Sequence, residues 1–259
     1  MNFDRQTLYQ HDLNKTEANL QLLKKNRNLL FWYSELYREL LEMVPDVSEK
    51  KILEIGSGNS PLKEFFPNVI TSDILKLSHL DHVFDCHDIN NFTGILDHSI
   101  DIMILTNVLH HLQDPIKFLC NATQKLKKGG ELFILEPYFS LVSYPLFRFL
   151  HHESVDFSIS RPVLSTIEGP LSSSNQAIPY MIFFSKKIWL NDLAGSYNLA
   201  KIHFSFYSSI SYMITGGISR VFPVPHHLYQ YFFKIDRSLA LLFPNLFASF
   251  FIVKLVSKR

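Results

Sequence analysis

The chain of 259 residues is long for one domain and short for two, so we interpret it as one domain with added segments. Its net charge of +1 excludes a strongly basic surface, and nucleic acid is therefore not expected as a partner. Two cysteines are too few for a disulfide framework, and the amino-terminal stretch lacks the apolar core of a signal peptide, so we expect a cytoplasmic protein.

The first predicted element is a helix over residues 16–44. Apolar residues recur there three, four or seven positions apart, with charged residues between them, at Leu22, Leu29, Tyr33, Leu36, Leu40 and Val44. Pro45 ends the periodic pattern. We expect residues 1–46 to form a helical cap over one edge of the sheet that follows.

Short apolar runs then alternate with polar turns, as in a buried parallel sheet. Strands are predicted at 51–55, 68–74, 82–89, 99–107 and 131–137. A helix is predicted between the last two strands, because Asp114 is a good N-cap, Pro115 a good first helical residue and Gly129 a good left-handed cap. Strand, helix and strand in repetition imply right-handed crossovers and an α/β fold.

The pattern changes after residue 137. Residues 138–185 are irregular, and an insertion after the fifth strand is expected to lie over the carboxyl edge of the sheet. Residues 185–206 predict a helix followed by a sixth strand. Two aromatic-rich helices are predicted within 221–245, and a last strand is expected to begin near Phe247.

An apolar stretch at residues 238–256 raises the question of a membrane span. Pro244, Asn245 and Lys254 interrupt it, so it lacks the continuous apolar run of about 20 residues that a crossing helix needs. The aromatic helices either bury against the sheet, which we favour, or contact the periphery of a membrane.

A glycine turn, Gly56-Ser-Gly58, follows the first predicted strand. Ligands of open α/β sheets bind at the carboxyl ends of strands, and glycine permits a close approach there. A nicotinamide-dinucleotide fingerprint needs a third glycine where this chain has Pro61. A phosphate-binding P-loop needs a Gly-Lys-Ser/Thr ending, which is missing as well, so a pyrophosphate fits this turn poorly.

Carboxylates follow or end three successive predicted strands, at Glu54, Asp73 and Asp88. In nucleotide-binding folds a carboxylate at the second strand accepts both ribose hydroxyls. Each of Asp73 and Asp88 could alone be an ordinary turn residue, but together with the glycine turn they favour a bound adenosyl group.

From about residue 50 to 137 the chain resembles class I S-adenosylmethionine-dependent methyltransferases. The resemblance rests on Glu54-x-Gly56-x-Gly58, on "SIDIMILTNVLHHLQDP" and on "LKKGGELFILEP". It implies a Rossmann-like, doubly wound, mostly parallel seven-stranded sheet with helices on both faces, an N-terminal helical extension and C-terminal lid insertions. A single domain would comprise the cap at 1–46, a cofactor-binding core at 50–137 and an acceptor-binding part at 138–259.

The same resemblance implies S-adenosyl-L-methionine as the cofactor. The glycine turn would pass beneath its methionine part, Glu54 would hold the loop and the ammonium end, and Asp88 or Ile89 would meet the adenine. The cofactor-binding residues expected from the resemblance are Glu54, Gly56, Gly58, Asp73, Ile74, Asp88, Ile89 and Asn107.

Methyl transfer to a hydroxyl requires that a positioned group take or share its proton. His111 or His110, which follow the fourth strand, are the candidate bases because imidazole titrates near neutral pH, although both could merely pack against the next helix. The expected substrate-binding residues are Glu136, Tyr138, His151 and His152.

No metal is expected from the sequence. Quinone-pathway O-methyltransferases, to which this stretch is similar, carry Glu-x-x-Glu-His for a divalent ion, whereas this chain has Asn107-x-x-His110-His111. Hard oxygen ligands are therefore missing at that motif. In "HHESVD" only His152 and Asp156 would share a helix face, which is too few for a site.

The expected activity is methyl transfer to a small-molecule, sugar or lipid-linked acceptor, at a hydroxyl oxygen. A quinone-type ring is the second acceptor considered. A non-catalytic S-adenosylmethionine-binding regulator or partner protein and a nicotinamide oxidoreductase are the rival classes. The sequence does not indicate an oligomeric state.

Overall fold

The computed structural model describes residues 5–149, 151, 153–208 and 210–258, and their core is a seven-stranded sheet. The strands are β1 (Ile52–Ile55), β2 (Ile70–Asp73), β3 (His82–Val83), β4 (Ile100–Thr106), β5 (Leu126–Pro137), β6 (His203–Ser208) and β7 (Ala248–Val256). Their order is β3-β2-β1-β4-β5-β7-β6. The first five strands pair in parallel, and β7 runs antiparallel to both of its neighbours. The predicted doubly wound α/β architecture is confirmed.

Helices cover both faces of this sheet. Their bounds are α1 (Arg5–Lys25), α2 (Arg27–Glu42), α3 (Leu62–Phe65), α4 (Pro115–Ala122), α5 (Ser143–Phe149), α6 (Ala177–Tyr180), α7 (Lys187–Asn191), α8 (Ile210–Ile214), α9 (His226–Leu242) and α10 (Pro244–Phe247). Successive residues of a strand point to opposite faces, so β4 sends Met103 and Leu105 into one core with α4 and α6. Ile102 and Ile104 enter the other core, with α2 and α9.

The amino-terminal segment forms two helices rather than the single predicted one. Asn26 separates them, and its side-chain oxygen accepts from the backbone N–H of Leu29, as an N-cap does. The Asn26 amide also donates to the carbonyls of Thr215 at 2.9 Å and Arg220 at 3.3 Å. These contacts with a distant segment cannot be inferred from the helical period of residues 16–44.

Two predicted boundaries are also corrected. Helix α4 ends at Ala122, and Gly129 lies inside β5, where its N–H donates to the Ser257 carbonyl instead of capping a helix. Lys127 of this extended segment forms an ion pair with Asp101 on β4. The predicted third strand is only two residues long, because the chain turns into a 3-10 helix at Cys86–Asp88.

Helix α9 buries one face and exposes apolar side chains on the other. Tyr229 and Phe233 are buried in the core, as favoured from the sequence. The exposed apolar side chains of this helix are Leu228, Tyr231, Ile235, Leu241 and Leu242. Among the described residues, no helix combines the length and the apolar character needed to cross a membrane.

Candidate active site

The turn after β1 requires glycine at position 56. Gly56 has a φ of 75°, and its N–H donates to the Ser72 carbonyl of β2 at 2.9 Å. A Cβ at this position would lie 2.3 Å from Cγ2 of Val108. The turn is therefore pressed between β2 and the loop after β4, with no room for a side chain.

Asp73, at the end of β2, is bonded to the same turn. Its Oδ2 accepts from the N–H of Gly58 and its Oδ1 from the N–H of Leu75, both at 2.9 Å. Burial raises the pKa of this half-buried carboxyl. A carboxylate has about four acceptor sites, so Asp73 can still accept from a ligand while it holds the turn.

Glu54 lies beneath the turn and is 1% exposed. Its Oε1 accepts from the Ser60 hydroxyl at 2.5 Å, and its Oε2 has no hydrogen-bond partner among the described residues. Burial raises the pKa of Glu54 to about 7. Ser60 in turn shares a hydrogen bond of 2.8 Å with Tyr37 of α2, so Glu54 holds the loop from behind.

A cavity of about 1870 Å³ opens at the carboxyl edge of the parallel strands. Its wall joins Gly56, Gly58 and Asp73 at one part to His111 and Glu153 at another, and α1 and α2 contribute side chains to it. Ligand pockets usually measure roughly 300–1,000 Å³. The volume is therefore sufficient for two ligands side by side.

Two further predicted cofactor residues, Asn107 and Ile74, also line this cavity. Asn107 has a φ of 56°, a left-handed conformation that asparagine tolerates better than most residues. Its buried Oδ1 has no hydrogen-bond partner within the described part of the chain. Backbone strain of this kind is concentrated at functional sites.

The structure does not place three predicted cofactor residues, Glu54, Asp88 and Ile89, in the cavity wall. Asp88 is exposed to solvent and Ile89 is fully buried in the core. The short β3 brings Asp85 and His87 to the wall instead, where Asp85 caps the 3-10 turn by accepting from the N–H of His87.

His110 is enclosed by two carboxylates and is 2% exposed. Its Nδ1 lies 2.5 Å from Oε2 of Glu136, and its Nε2 lies 3.1 Å from Oε2 of Glu153. Burial alone would lower the pKa of His110, but the two carboxylates outweigh burial and raise that pKa to about 10. The two carboxylates therefore favour the protonated form of His110, which leaves His111 as the better candidate for the base.

His111 has the opposite electrostatic character. Its Nδ1 lies 3.0 Å from the Ser173 carbonyl, which can only accept, so Nδ1 carries the proton. Burial and the neighbouring His110 cation lower the pKa of His111 to about 4. The neutral ring lines the cavity and presents the Nε2 lone pair near Glu153, at 3.6 Å from Oε1.

The predicted substrate residues divide between the cavity and the core. His151 lines the cavity, and His152 lies outside the described residues. Glu136 is fully buried, away from the wall, and accepts from the backbone N–H of Leu109 as well as from His110. Tyr138 is also outside the wall, and its hydroxyl donates to Asn245 at 2.7 Å. Glu136 and Tyr138 are therefore structural supports, and the prediction that they contact substrate is corrected.

Sequence reasoning did not place Glu153 beside the histidine pair, and it missed Gln176. The Gln176 amide nitrogen donates to Oε2 of Glu153 at 2.7 Å and to Nδ1 of His151 at 2.9 Å. Both residues lie more than 40 positions after His110 in an irregular segment. No local spacing could have shown that they meet the histidine pair.

The methyltransferase domain family matches the chain over residues 24–208, well over half of its length. Among curated proteins none is a significant match to the sequence.

Two solved structures are similar to this chain. A protein of Thermotoga maritima, described as a SAM-dependent methyltransferase and possible histamine N-methyltransferase, is 12% identical, with 94% of this chain and 99% of that chain covered and a TM-score of 0.51. A SAM-dependent methyltransferase from Archaeoglobus fulgidus is 14% identical, with 86% of this chain and 94% of that chain covered and a TM-score of 0.49. At such low identity the likeness to the first structure shows a shared fold alone.

Proposed function

This chain belongs to the methyltransferase domain family, of the class I S-adenosylmethionine-dependent type, and from that premise we propose that it moves a methyl group to a hydroxyl oxygen of a small-molecule, sugar or lipid-linked acceptor. The observation that carries the proposal is the single cavity shared by the glycine turn and the histidine–glutamate cluster. We define this acceptor cluster as His110, His111 and Glu153.

The residues at the glycine turn fit the cofactor. A Cβ on Gly58 would lie 3.0 Å from Oδ2 of Asp73 and would crowd this carboxylate. Glycine at position 58 therefore leaves the Asp73 carboxylate accessible to a ligand. Buried oxygens of Glu54 and Asn107 have no hydrogen-bond partner within the described residues. When bound, S-adenosylmethionine supplies an electrophilic methyl group on its sulfonium sulfur.

The acceptor cluster supports a hydroxyl as the methylated group. A hydroxyl must lose its proton as the oxygen attacks, and a neutral imidazole in the cavity wall can promote that loss. His110 holds Glu153 beside His111, and Glu136 fixes His110 from behind. These contacts support a role of the acceptor cluster in binding and deprotonating the acceptor hydroxyl.

Replacing His111 by alanine should lower turnover by about 100-fold, the lower range for a positioned proton-transfer group, because its ring faces the cavity. Binding of S-adenosylhomocysteine, measured by calorimetry, should stay within about twofold, because His111 is not part of the glycine turn. The matched control is His203→Ala, which removes an exposed histidine of β6 and should leave turnover unchanged. Full turnover in His111→Ala would show that this ring only packs.

Cofactor binding should depend on pH through Glu54. The pKa of about 7 means that this carboxyl is mostly protonated at pH 6 and mostly ionised at pH 8. A cationic ammonium favours the ionised form, so affinity for S-adenosylhomocysteine should rise between these pH values by up to about tenfold. Calorimetry on Glu54→Gln should show a flat profile. If the affinity of the wild type for S-adenosylhomocysteine is equally independent of pH, the charge of Glu54 does not contribute to cofactor binding.

A lipid-linked acceptor is supported by apolar side chains at the cavity mouth. Ile74, Val163, Met213 and Phe222 line the cavity and are between 37% and 44% exposed. An exposed apolar rim can hold an acyl or isoprenoid chain, and the exposed face of α9 would extend such a contact to the membrane periphery.

The activity is tested with methyl-labelled S-adenosylmethionine and two acceptor pools, one of water-soluble extracts and one of lipid extracts. Label in a product of either pool supports the proposal, and the pool identifies the acceptor class. Tight binding of S-adenosylhomocysteine without any labelled product would instead favour a non-catalytic, cofactor-binding partner protein.

A further inference from the structure

We propose that His110, His111 and Glu153 form a binding site for one divalent transition-metal ion. The site itself is argued from geometry alone, whereas the catalytic role given to the ion below rests on the proposed function. Glu153 comes from a distant part of the chain and brings its carboxylate to both histidines.

The separations between the ligand atoms match those around a small metal ion. One ligand atom from each of the three residues lies within 4.8 Å of the others. Nε2 of His110 is 3.1 Å from one Glu153 oxygen, and Nε2 of His111 is 3.6 Å from the other. Ligands held about 2.0–2.1 Å from a tetrahedral ion lie roughly 3.3 Å from one another. Little movement is needed to admit the ion.

The second nitrogen of each histidine has the partner expected behind a metal ligand. Nδ1 of His110 is bonded to Glu136, and Nδ1 of His111 is bonded to the Ser173 carbonyl. Metal-binding histidines usually donate their other N–H to a carboxylate or a backbone carbonyl, which fixes the ring and its tautomer. Both rings therefore turn Nε2 toward the same point.

One contact inside the cluster is unfavourable without an ion. Nε2 of His110 lies 3.1 Å from Oε2 of Glu153, as in an ion pair, but the contact of His111 with Glu153 has no such explanation. His111, with its proton on Nδ1, directs a lone pair toward the other Glu153 oxygen. The lone pair and the carboxylate oxygen repel each other, because both are electron-rich. A cation bound between the three residues would be attracted to both.

The site is open on the side that a substrate would occupy. All three residues line the large cavity, as do His151 and Gln176 next to them. Catalytic metal sites keep a coordination position for water or substrate, and three protein ligands leave one. Two imidazoles and one carboxylate favour zinc, iron(II), cobalt or nickel over magnesium, which prefers oxygen ligands.

The other candidate group, Asp85, Cys86 and His87, fits an ion less well. Nδ1 of His87 is bonded to Asp85 at 2.7 Å, and its Nε2 accepts from the N–H of Gln113 at 3.0 Å. Both ring nitrogens are thus occupied within the protein. This group therefore provides the control for the acceptor cluster.

The ion would promote the same proton loss that we assign to the acceptor cluster. It would stabilise negative charge on an acceptor oxygen whose proton passes to water. That oxygen then forms the bond to the methyl carbon, and the carbon–sulfur bond breaks with its electron pair left on sulfur. When the ion is bound, Nε2 of His111 is a metal ligand and cannot accept a proton. The ion, instead of His111, then promotes the loss of the proton from the acceptor hydroxyl.

The test uses the 259-residue chain, freed of metal by chelation and titrated with cobalt(II) as a spectroscopic probe. One equivalent should bind, with the visible absorption of a low-symmetry cobalt site. Glu136→Gln should weaken cobalt binding by about 10- to 100-fold, as is usual when a residue hydrogen-bonded to a metal ligand is replaced. Glu153→Gln and His111→Gln, which replace proposed ligands, should weaken cobalt binding further. His87→Gln should bind cobalt like the wild type.

Circular dichroism and S-adenosylhomocysteine binding establish that each variant is folded. Failure of the wild type to bind one saturable equivalent would overturn the site, as would unchanged binding in folded Glu153→Gln or His111→Gln. The two proposals fail separately. If labelled product forms at full rate after chelation, the ion has no catalytic role. If cobalt binds stoichiometrically but no labelled product forms, the proposed methyl transfer is contradicted.

Discussion

Replacement of Asp73 by alanine is expected to weaken S-adenosylhomocysteine binding by about 100-fold. The carboxylate lies at the end of β2, in the cavity wall, where two oxygens match the two hydroxyls of a ribose. Hydrogen bonds to charged groups contribute about 1.5–3 kcal/mol each, and each 1.4 kcal/mol changes affinity about tenfold. The variant also deprives the Gly58 N–H of its acceptor, which loosens the turn.

Asp88→Ala is the matched control, since it removes a carboxylate that the family resemblance assigns to the cofactor but the structure leaves exposed. Calorimetry should show an affinity within about twofold of wild type for this variant. A large loss for Asp88→Ala together with a small loss for Asp73→Ala would contradict the placement of the adenosyl group beside β2.

Glu136→Gln is expected to lower the free energy of unfolding by about 3–5 kcal/mol, as measured by urea denaturation. Both carboxylate oxygens accept from buried donors, one from Leu109 and one from His110. Glutamine has only one accepting oxygen, so its NH₂ group would face one of these donors. The change also removes the charge that faces the buried His110 cation.

Glu131→Gln provides a control on the same strand. Glu131 forms a 3.0 Å ion pair with Lys254, but both side chains are about one-fifth exposed. Such partly solvated pairs contribute roughly 0–1 kcal/mol, so the control should change stability little. A similar small loss for both variants would show that the Glu136–His110 pair does not stabilise the fold.

Local patterns were sufficient for the core of the fold. The apolar runs predicted the parallel strands and their order of appearance, and Gly56, Gly58 and Asp73 meet at one edge because parallel strands end on the same side. Asp88 was misplaced because the sequence does not reveal that β3 stops after two residues. A strand of that length has no periodic signal of its own.

The acceptor side of the site could be predicted only in part. His110 and Glu136 follow or end adjacent strands, so their proximity was foreseeable, but which of them would be buried was not. Glu153 reaches the histidine pair from an irregular segment whose path depends on contacts with distant residues, such as the Asn175 N–H that donates to the His110 carbonyl, rather than on its own sequence. The expectation that no metal binds here therefore rested on local spacing alone.

The central claim is that one cavity brings the cofactor's reactive end to the acceptor cluster of His110, His111 and Glu153. A crystal structure with S-adenosylhomocysteine tests it most directly. We predict the ribose hydroxyls on Asp73, the methionine part over Gly56 and Gly58, and the sulfur atom pointing toward His111 and Glu153. A ligand bound outside this cavity, or one whose sulfur points away from His111, would contradict the account.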